Sequence, residues 1–99
     1  MSVDAIKHVA ISGRVQGVGY RAWTVDEARS RGLQGWVRNR RDGSVEAVFA
    51  GDAIIVDAMI AACWNGPSMA RVTDVVSHDA TADELRRRGA HDFAALPTL

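Results

Sequence analysis

The chain has 99 residues, 47% hydrophobic and 24% charged, a balance that suits one globular domain and excludes a disordered or fibrous chain. Twelve basic residues offset twelve acidic ones, so the basic excess expected of a small nucleic-acid binder is missing. No apolar run approaches the roughly 18 residues of a membrane span, and the N-terminus lacks the basic-then-apolar pattern of a secretory signal, so a cytoplasmic protein with no membrane partner is expected.

Residues 1–99 read as one domain, because no internal repeat, low-complexity tract or linker divides them. A single cysteine, Cys63, cannot form an internal disulfide; it is expected in the core, in a reducing compartment. His8, His78 and His91 are scattered without ligand spacing, so neither a metal site nor a metal cofactor is expected.

In chain order, Ala5 to Ser12 alternates, with Ile6, His8 and Ala10 on one face and Lys7, Val9 and Ile11 on the other, as a strand does. Either face could be the buried one. A glycine-rich loop, Gly13 to Arg21, leads into a helix ending near Arg31, with Gly32 beyond its end. Ala22, Val25 and Ala28 are read as the face that lies on the sheet, and Trp23 as packing. Gly35 to Asn39 and Ser44 to Ala50 form a hairpin across the turn Arg40-Arg41-Asp42-Gly43. Arg38, Arg40 and Arg41 read as a solvated turn and sheet edge, or alternatively as a local field that draws in anions.

Asp52 is placed to cap a second helix, Ala53 to Trp64, with Ile55, Met59, Ala62 and Cys63 inward and Asn65-Gly66-Pro67 ending it. Arg71 to Ser77 is a fourth strand, with Val72 and Val76 on one side. Thr81-x-x-Glu84 is a capping-box pattern opening a short helix up to Gly89, and a short terminal strand has room near Phe93. The order strand, helix, strand, strand, helix, strand is the ferredoxin-like βαββαβ arrangement of the α+β class: an antiparallel sheet with two helices on one face. That fold hosts enzymes, RNA binders and sensors, so function must be argued from a site.

The loop is the candidate. Its three glycines allow a sharp turn and close approach of a ligand to the backbone. It contains no Ser, Thr, Lys, Cys, Asp or Glu, so an anion there is held by backbone N–H groups at a helix N-terminus, with Arg21 the one strong side-chain ligand. Arginine in a first turn opposes the helix dipole, a conflict that a bound dianion reverses. The Gly-Lys-Ser/Thr of a nucleotide P-loop and the βαβ unit of a dinucleotide fingerprint are both missing, and Cys63 is too distant to be a phosphatase nucleophile in this loop. Glycine spacing alone fits equally a plain connector followed by a solvated arginine.

Gly13-x-Val15-Gln16-Gly17-Val18-x-Tyr20-Arg21, followed by Gly35-Trp36-Val37-x-Asn39-x-x-Asp42-Gly43-x-Val45, resembles the two signatures of the acylphosphatase family in residue and in mutual spacing. The likeness extends through Gly66-Pro67 and the Val72 to Val76 strand and is weakest after Phe93, where Ala94, Ala95 and Pro97 dilute the alternation. The resemblance implies that the amides of Gln16, Gly17, Val18, Gly19, Tyr20 and Arg21, with the Arg21 guanidinium, hold the phosphate of an acyl phosphate. It also implies that Asn39 positions the attacking water. Arginine offers a planar fork matched to two phosphate oxygens, and asparagine can hold a water without removing a proton. Taken alone, Asn39 would also fit a strand-end residue entering a turn.

Neither signature carries a residue suited to general acid work, and Asp42 belongs to the turn. Protonating a leaving group typically contributes roughly 10²–10⁴-fold, so such a site suits a leaving group that needs no proton, and a carboxylate qualifies. The expected reaction is hydrolysis of an acyl phosphate to carboxylate and inorganic phosphate, without metal or covalent intermediate, by a monomer. The competing expectations are a non-catalytic anion-binding module and, from the topology, an RNA-binding domain. The latter needs exposed aromatics and a basic face.

Overall fold

The computed structural model describes residues 4–99, so residues 1–3 of the expected domain lie outside the described residues. β1 (Ala5–Arg14) is flanked by β4 (Arg71–Asp79) and β3 (Val45–Gly51). β2 (Gln34–Asn39) folds back on β3, and β5 (Phe93–Ala95) closes the edge, giving the order β4-β1-β3-β2-β5. The first four strands pair antiparallel, as expected. β5 runs parallel to β2, with Phe93 opposite Gly35 and Ala95 opposite Val37. The sheet is therefore mixed at one edge, because the chain reaches β5 by crossing over rather than by a hairpin. Beyond β5 the backbone keeps to β2, with Leu96 N–H on the Val37 carbonyl and Leu99 N–H on that of Asn39.

α1 (Tyr20–Ser30) and α2 (Ala53–Cys63) cover one face of this sheet. Val9, Ile11, Val37, Ala47 and Phe49 from the strands meet Tyr20, Ala28, Val56, Met59 and Cys63 in the main core. Val9 and Ile11 are thus the inward side of β1, and His8 faces outward. Cys63 is buried as expected. Asp52 caps α2, its carboxylate accepting from the N–H groups of Ile54 and Ile55. Among the described residues no helix is long and apolar enough to cross a membrane.

Three expected faces are rotated. On α1 the buried residues are Tyr20, Thr24 and Ala28, while Ala22 is exposed; Thr24 is tolerated inside because its hydroxyl donates to the Tyr20 carbonyl at 2.8 Å. On α2 Met59 and Cys63 point inward as expected, but Val56 joins them in place of Ile55, which is exposed, and Ile54 is 80% exposed. On β4, Val72 pairs with Gly13 but Asp74 with Ser12, so Thr73 is an extra residue. This bulge shifts the phase and turns Val75, not Val76, toward the core.

The opposite face of the sheet has its own cover. α3 (Ala82–Leu85), capped by the Thr81 hydroxyl accepting from Glu84 N–H, runs into a single 3₁₀ turn, Arg86–Arg88. Leu85 packs with Trp36, Val48 and Ala50, and the Trp36 indole donates to the Glu84 carbonyl at 2.7 Å. Because β1 and β3 are antiparallel, with Ile11 opposite Val45, the end of β1 and the β2–β3 turn lie at the same end of the sheet. The glycine-rich loop emerges there.

Candidate active site

Gly17 and Gly19 adopt left-handed backbone conformations, with φ of 72° and 81°. A Cβ at either position would meet nothing within 4 Å, so glycine is required by the backbone conformation and not by crowding, and the outer side of the loop stays uncovered. Gly19 is the N-cap of α1 and offers no side chain to it; the first helical bond runs from Trp23 N–H to the Gly19 carbonyl at 3.0 Å. The N–H groups of Tyr20, Arg21 and Ala22 therefore lack intrahelical acceptors. A Ser or Asp cap would occupy such donors with its own oxygen. Glycine leaves them, and the positive end of the dipole, to an external anion.

The flanking side chains fix this loop to the core. Val15 is buried and Val18 packs partly against the main cluster. The Tyr20 ring is buried, and its hydroxyl donates at 2.6 Å to the Cys63 carbonyl, satisfying an acceptor at the end of α2. Burial pushes the Tyr20 hydroxyl well above its usual pKa and raises the Cys63 thiol to about 11. Tyr20 can meet an anion only through its backbone, and Cys63 is a packing residue.

A cleft of about 350 Å³ opens at the start of α1, lined by Val15, Gly17, Gly19, Tyr20, Arg21, Ala22, Asn39 and Ala95. Arg21 is exposed on its wall, and none of the ion pairs among the described residues involves it. Asn39, the last residue of β2, lies on the same face as Val37 and so toward α1. The two side chains singled out in the sequence thus share one cleft with Gly17, Gly19 and Tyr20. Gln16 and Val18 are not on its wall: the Gln16 side chain turns to the β2–β3 turn, and Val18 turns inward.

Val15, Ala22 and Ala95 were not foreseen as wall residues. Helical spacing assigns Ala22 to the buried face of its helix, and a three-residue parallel strand gives Ala95 no periodic signal. The wall holds no Asp, Glu, His or Cys, so proton transfer by a protein side chain has no candidate there. What the cleft offers is backbone donors, one guanidinium and one carboxamide.

Behind Asn39, on the opposite face, Glu46 holds both neighbouring arginines. Its Oε1 accepts from Arg38 Nε at 2.6 Å and Arg40 Nη1 at 3.2 Å, and its Oε2 lies 2.7 Å from His8 Nε2. Arg38 is buried and lies 4.8 Å from the Trp36 ring centroid, a cation–π contact. Burial would raise the Glu46 carboxyl, but the hydrogen bonds from His8 and Arg38 and the charge of Arg38 outweigh it and hold the pKa at about 2. The reading of these arginines as a solvated turn is therefore corrected: Arg38 and Arg40 are committed to a buried carboxylate, and only Arg41 is exposed. Asp42 is committed to the turn as expected, accepting from Ser44 N–H at 2.9 Å and Ser44 Oγ at 2.6 Å.

Comparison with known proteins agrees with this architecture. The Acylphosphatase family model matches residues 7–94. An acylphosphatase of Bradyrhizobium diazoefficiens is 57% identical over 96% of this chain and 97% of its own length, and one of Rhodopseudomonas palustris is 58% identical over 97% and 98%. Among solved structures, the acylphosphatase of Coxiella burnetii superposes with a TM-score of 0.82 at 30% identity, covering 93% of this chain and 92% of that one. That of Bacillus subtilis gives 0.81 at 35%, covering 92% and 97%. With a family model spanning most of the chain and relatives more than half identical along nearly all of it, this protein belongs to the acylphosphatase family.

Proposed function

We propose that this protein is an acylphosphatase, a hydrolase cleaving the carboxyl–phosphate bond of acyl phosphates by direct attack of water on phosphorus. The observation that carries the reading is the convergence of Arg21, the uncapped start of α1 and Asn39 on one cleft whose wall has no acid or base. The loop amides from Gln16 to Arg21 and the Arg21 guanidinium hold the phosphate, and Asn39 orients the water. The new P–O bond forms as the bridging P–O bond breaks. The electron pair departs with the carboxylate, and a water proton passes to a phosphate oxygen, leaving dihydrogen phosphate. Catalysis comes from donors aimed at the phosphoryl oxygens before reaction begins. Residues 1–99 act as one domain and a monomer in this reading, and the neutral formal charge and lone buried cysteine support a cytoplasmic setting without a nucleic-acid partner.

The test is hydrolysis of an aromatic acyl phosphate in excess EDTA by the wild type and by Asn39→Ala, each shown to be folded. Rapid turnover by the wild type is expected, with Asn39→Ala losing kcat while inorganic phosphate still inhibits it. A folded wild type that binds phosphate but does not hydrolyse the substrate would leave an anion-binding module in place of the enzyme. Phosphate inhibition lost in Asn39→Ala would overturn the water-positioning role.

A further inference from the structure

We infer that the side chain of Gln16 is a positioning residue for Asn39, tying the phosphate cradle to the strand end that holds the water; the inference rests on the hydrolytic reading above. Gln16 lies in the loop between the buried Val15 and the cleft residue Gly17, yet its carboxamide leaves the cleft. Its Nε2 donates to the Arg40 carbonyl at 2.7 Å and to the Ser44 carbonyl at 2.8 Å. Those two carbonyls already define the β2–β3 turn. Arg40 N–H donates to the Ser44 carbonyl at 2.9 Å, and Gly43 N–H donates to the Arg40 carbonyl at 3.1 Å. The amide group of Gln16 fills the second acceptor position on each, two donors meeting two acceptors.

The chemistry of this contact is selective. A carboxylate of the same length has no donor and would face two carbonyl oxygens, and asparagine is one methylene short. The tie is also placed where it matters: Gln16 adjoins Gly17, Arg40 adjoins Asn39, and Gly17 and Asn39 both line the one cleft. Glu46 secures Arg38 and Arg40 on the far face of the sheet, so the end of β2 is held from both sides, and the two Gln16 hydrogen bonds refer it to the phosphate loop. The loop amides fix phosphorus and Asn39 fixes the attacking oxygen, so slack between them appears in the chemical step. A misplacement of about 1 Å can cost roughly 10²-fold in rate.

A double-mutant cycle separates positioning from plain structural support. Gln16→Ala is expected to lower kcat by about 10–10²-fold, with inhibition by inorganic phosphate within about threefold of wild type because the loop amides remain. In an Asn39→Ala background the same change is expected to alter kcat less than about threefold, since the residue it positions is gone. Equal losses in both backgrounds, or phosphate inhibition lost in parallel with kcat, would overturn the proposal. Gln16→Glu serves if the alanine variant does not fold; it should lose kcat at neutral pH as Gln16→Ala does, and wild-type turnover in it would also overturn the proposal. Amide NMR gives a readout independent of turnover. Gln16→Ala should shift the Asn39 side-chain resonances and speed exchange of Gly43 N–H, and unchanged spectra would refute the tie even if the protein hydrolysed nothing. A wild type with shifted spectra in Gln16→Ala but no acyl-phosphate hydrolysis would locate the failure in the hydrolytic reading instead.

Discussion

Arg21→Ala separates the functional account of this loop from a structural one, because the two predict opposite signs for stability. Arg21 is the second residue of α1, exposed and outside every ion pair among the described residues. Its charge faces the positive end of the helix dipole, an arrangement unfavourable by roughly 0.3–1 kcal/mol, and alanine is at least as good a helix former. Without ligand, the variant should therefore melt at or a few degrees above wild type, given about 4–8 °C per kcal/mol for a domain of this size. Phosphate reverses the comparison. At ten times its dissociation constant it stabilises wild type by about 1.4 kcal/mol. Loss of a charge-assisted pair of hydrogen bonds, each worth about 1.5–3 kcal/mol, should weaken phosphate binding by roughly 10²-fold or more and cancel that gain. Turnover should fall further, by about 10³–10⁵-fold, as for arginines that meet transition-state charge in phosphoryl transfer. Arg21→Lys keeps the charge but not the fork, and should resemble alanine in turnover more than wild type. The assays are thermal melts with and without phosphate, beside acyl-phosphate hydrolysis. A variant that melts well below wild type without ligand, or that keeps the phosphate-induced rise, would refute the assignment.

Gly19→Ala isolates backbone conformation, since the added methyl meets nothing within 4 Å; the left-handed φ should cost about 1–2 kcal/mol and weaken phosphate inhibition, whereas unchanged inhibition would show that the loop amides do not depend on that geometry. Tyr20→Phe strands the Cys63 carbonyl in the core and should destabilise by about 1–3 kcal/mol, with kcat retained well below the melting temperature; a large loss of kcat there would give the ring a catalytic part it has not been assigned. Glu46 has a folded pKa of about 2 against a usual 4.5, so its contribution is fully present above about pH 4.5 and is lost as pH falls toward 2. That contribution is about 1–3 kcal/mol after allowance for the half-exposed Arg40. Glu46→Gln should lower stability at neutral pH and flatten the acid limb of urea denaturation between those values, and an unchanged limb would remove Glu46 as its source.

The strands were legible from their alternation and the hairpin from the turn signal between its two runs, although β2 and β3 are buried on both faces; the caps were legible because Asp52 and Thr81 act within three residues of themselves. Helix faces were harder. Thr24 is polar but satisfied by its own helix, and Ala22 is apolar but faces the cleft, so a count of apolar positions rotates α1 away from its true contact. α2 has apolar residues on nearly every side, including the exposed Ile54, so its periodicity carries little phase information. On β4 a single inserted residue, Thr73, moved the inward position from Val76 to Val75. Each of these departures has a local cause that hydropathy does not encode.

The site divides along the same line. Backbone chemistry was readable, because glycines at Gly17 and Gly19 and the want of a polar N-cap are statements about the chain itself. What could not be read is how the pieces hold one another. Arg38 and Glu46 look like ordinary surface charges in the sequence, and only the pairing of β2 with β3 sets Arg38 opposite Glu46 and allows both to be buried. Gln16 looks like one more loop amide until the antiparallel pairing of β1 and β3 brings the β2–β3 turn beneath it. In the proposed reaction the residues that would touch the phosphate are written locally, in a strand-to-helix junction, while those that would aim the attacking water are assembled across strands. A change to the loop glycines should therefore act first on binding, one to Arg21 on binding and turnover together, and one to the turn or to the Gln16 side chain that supports it on the chemical step.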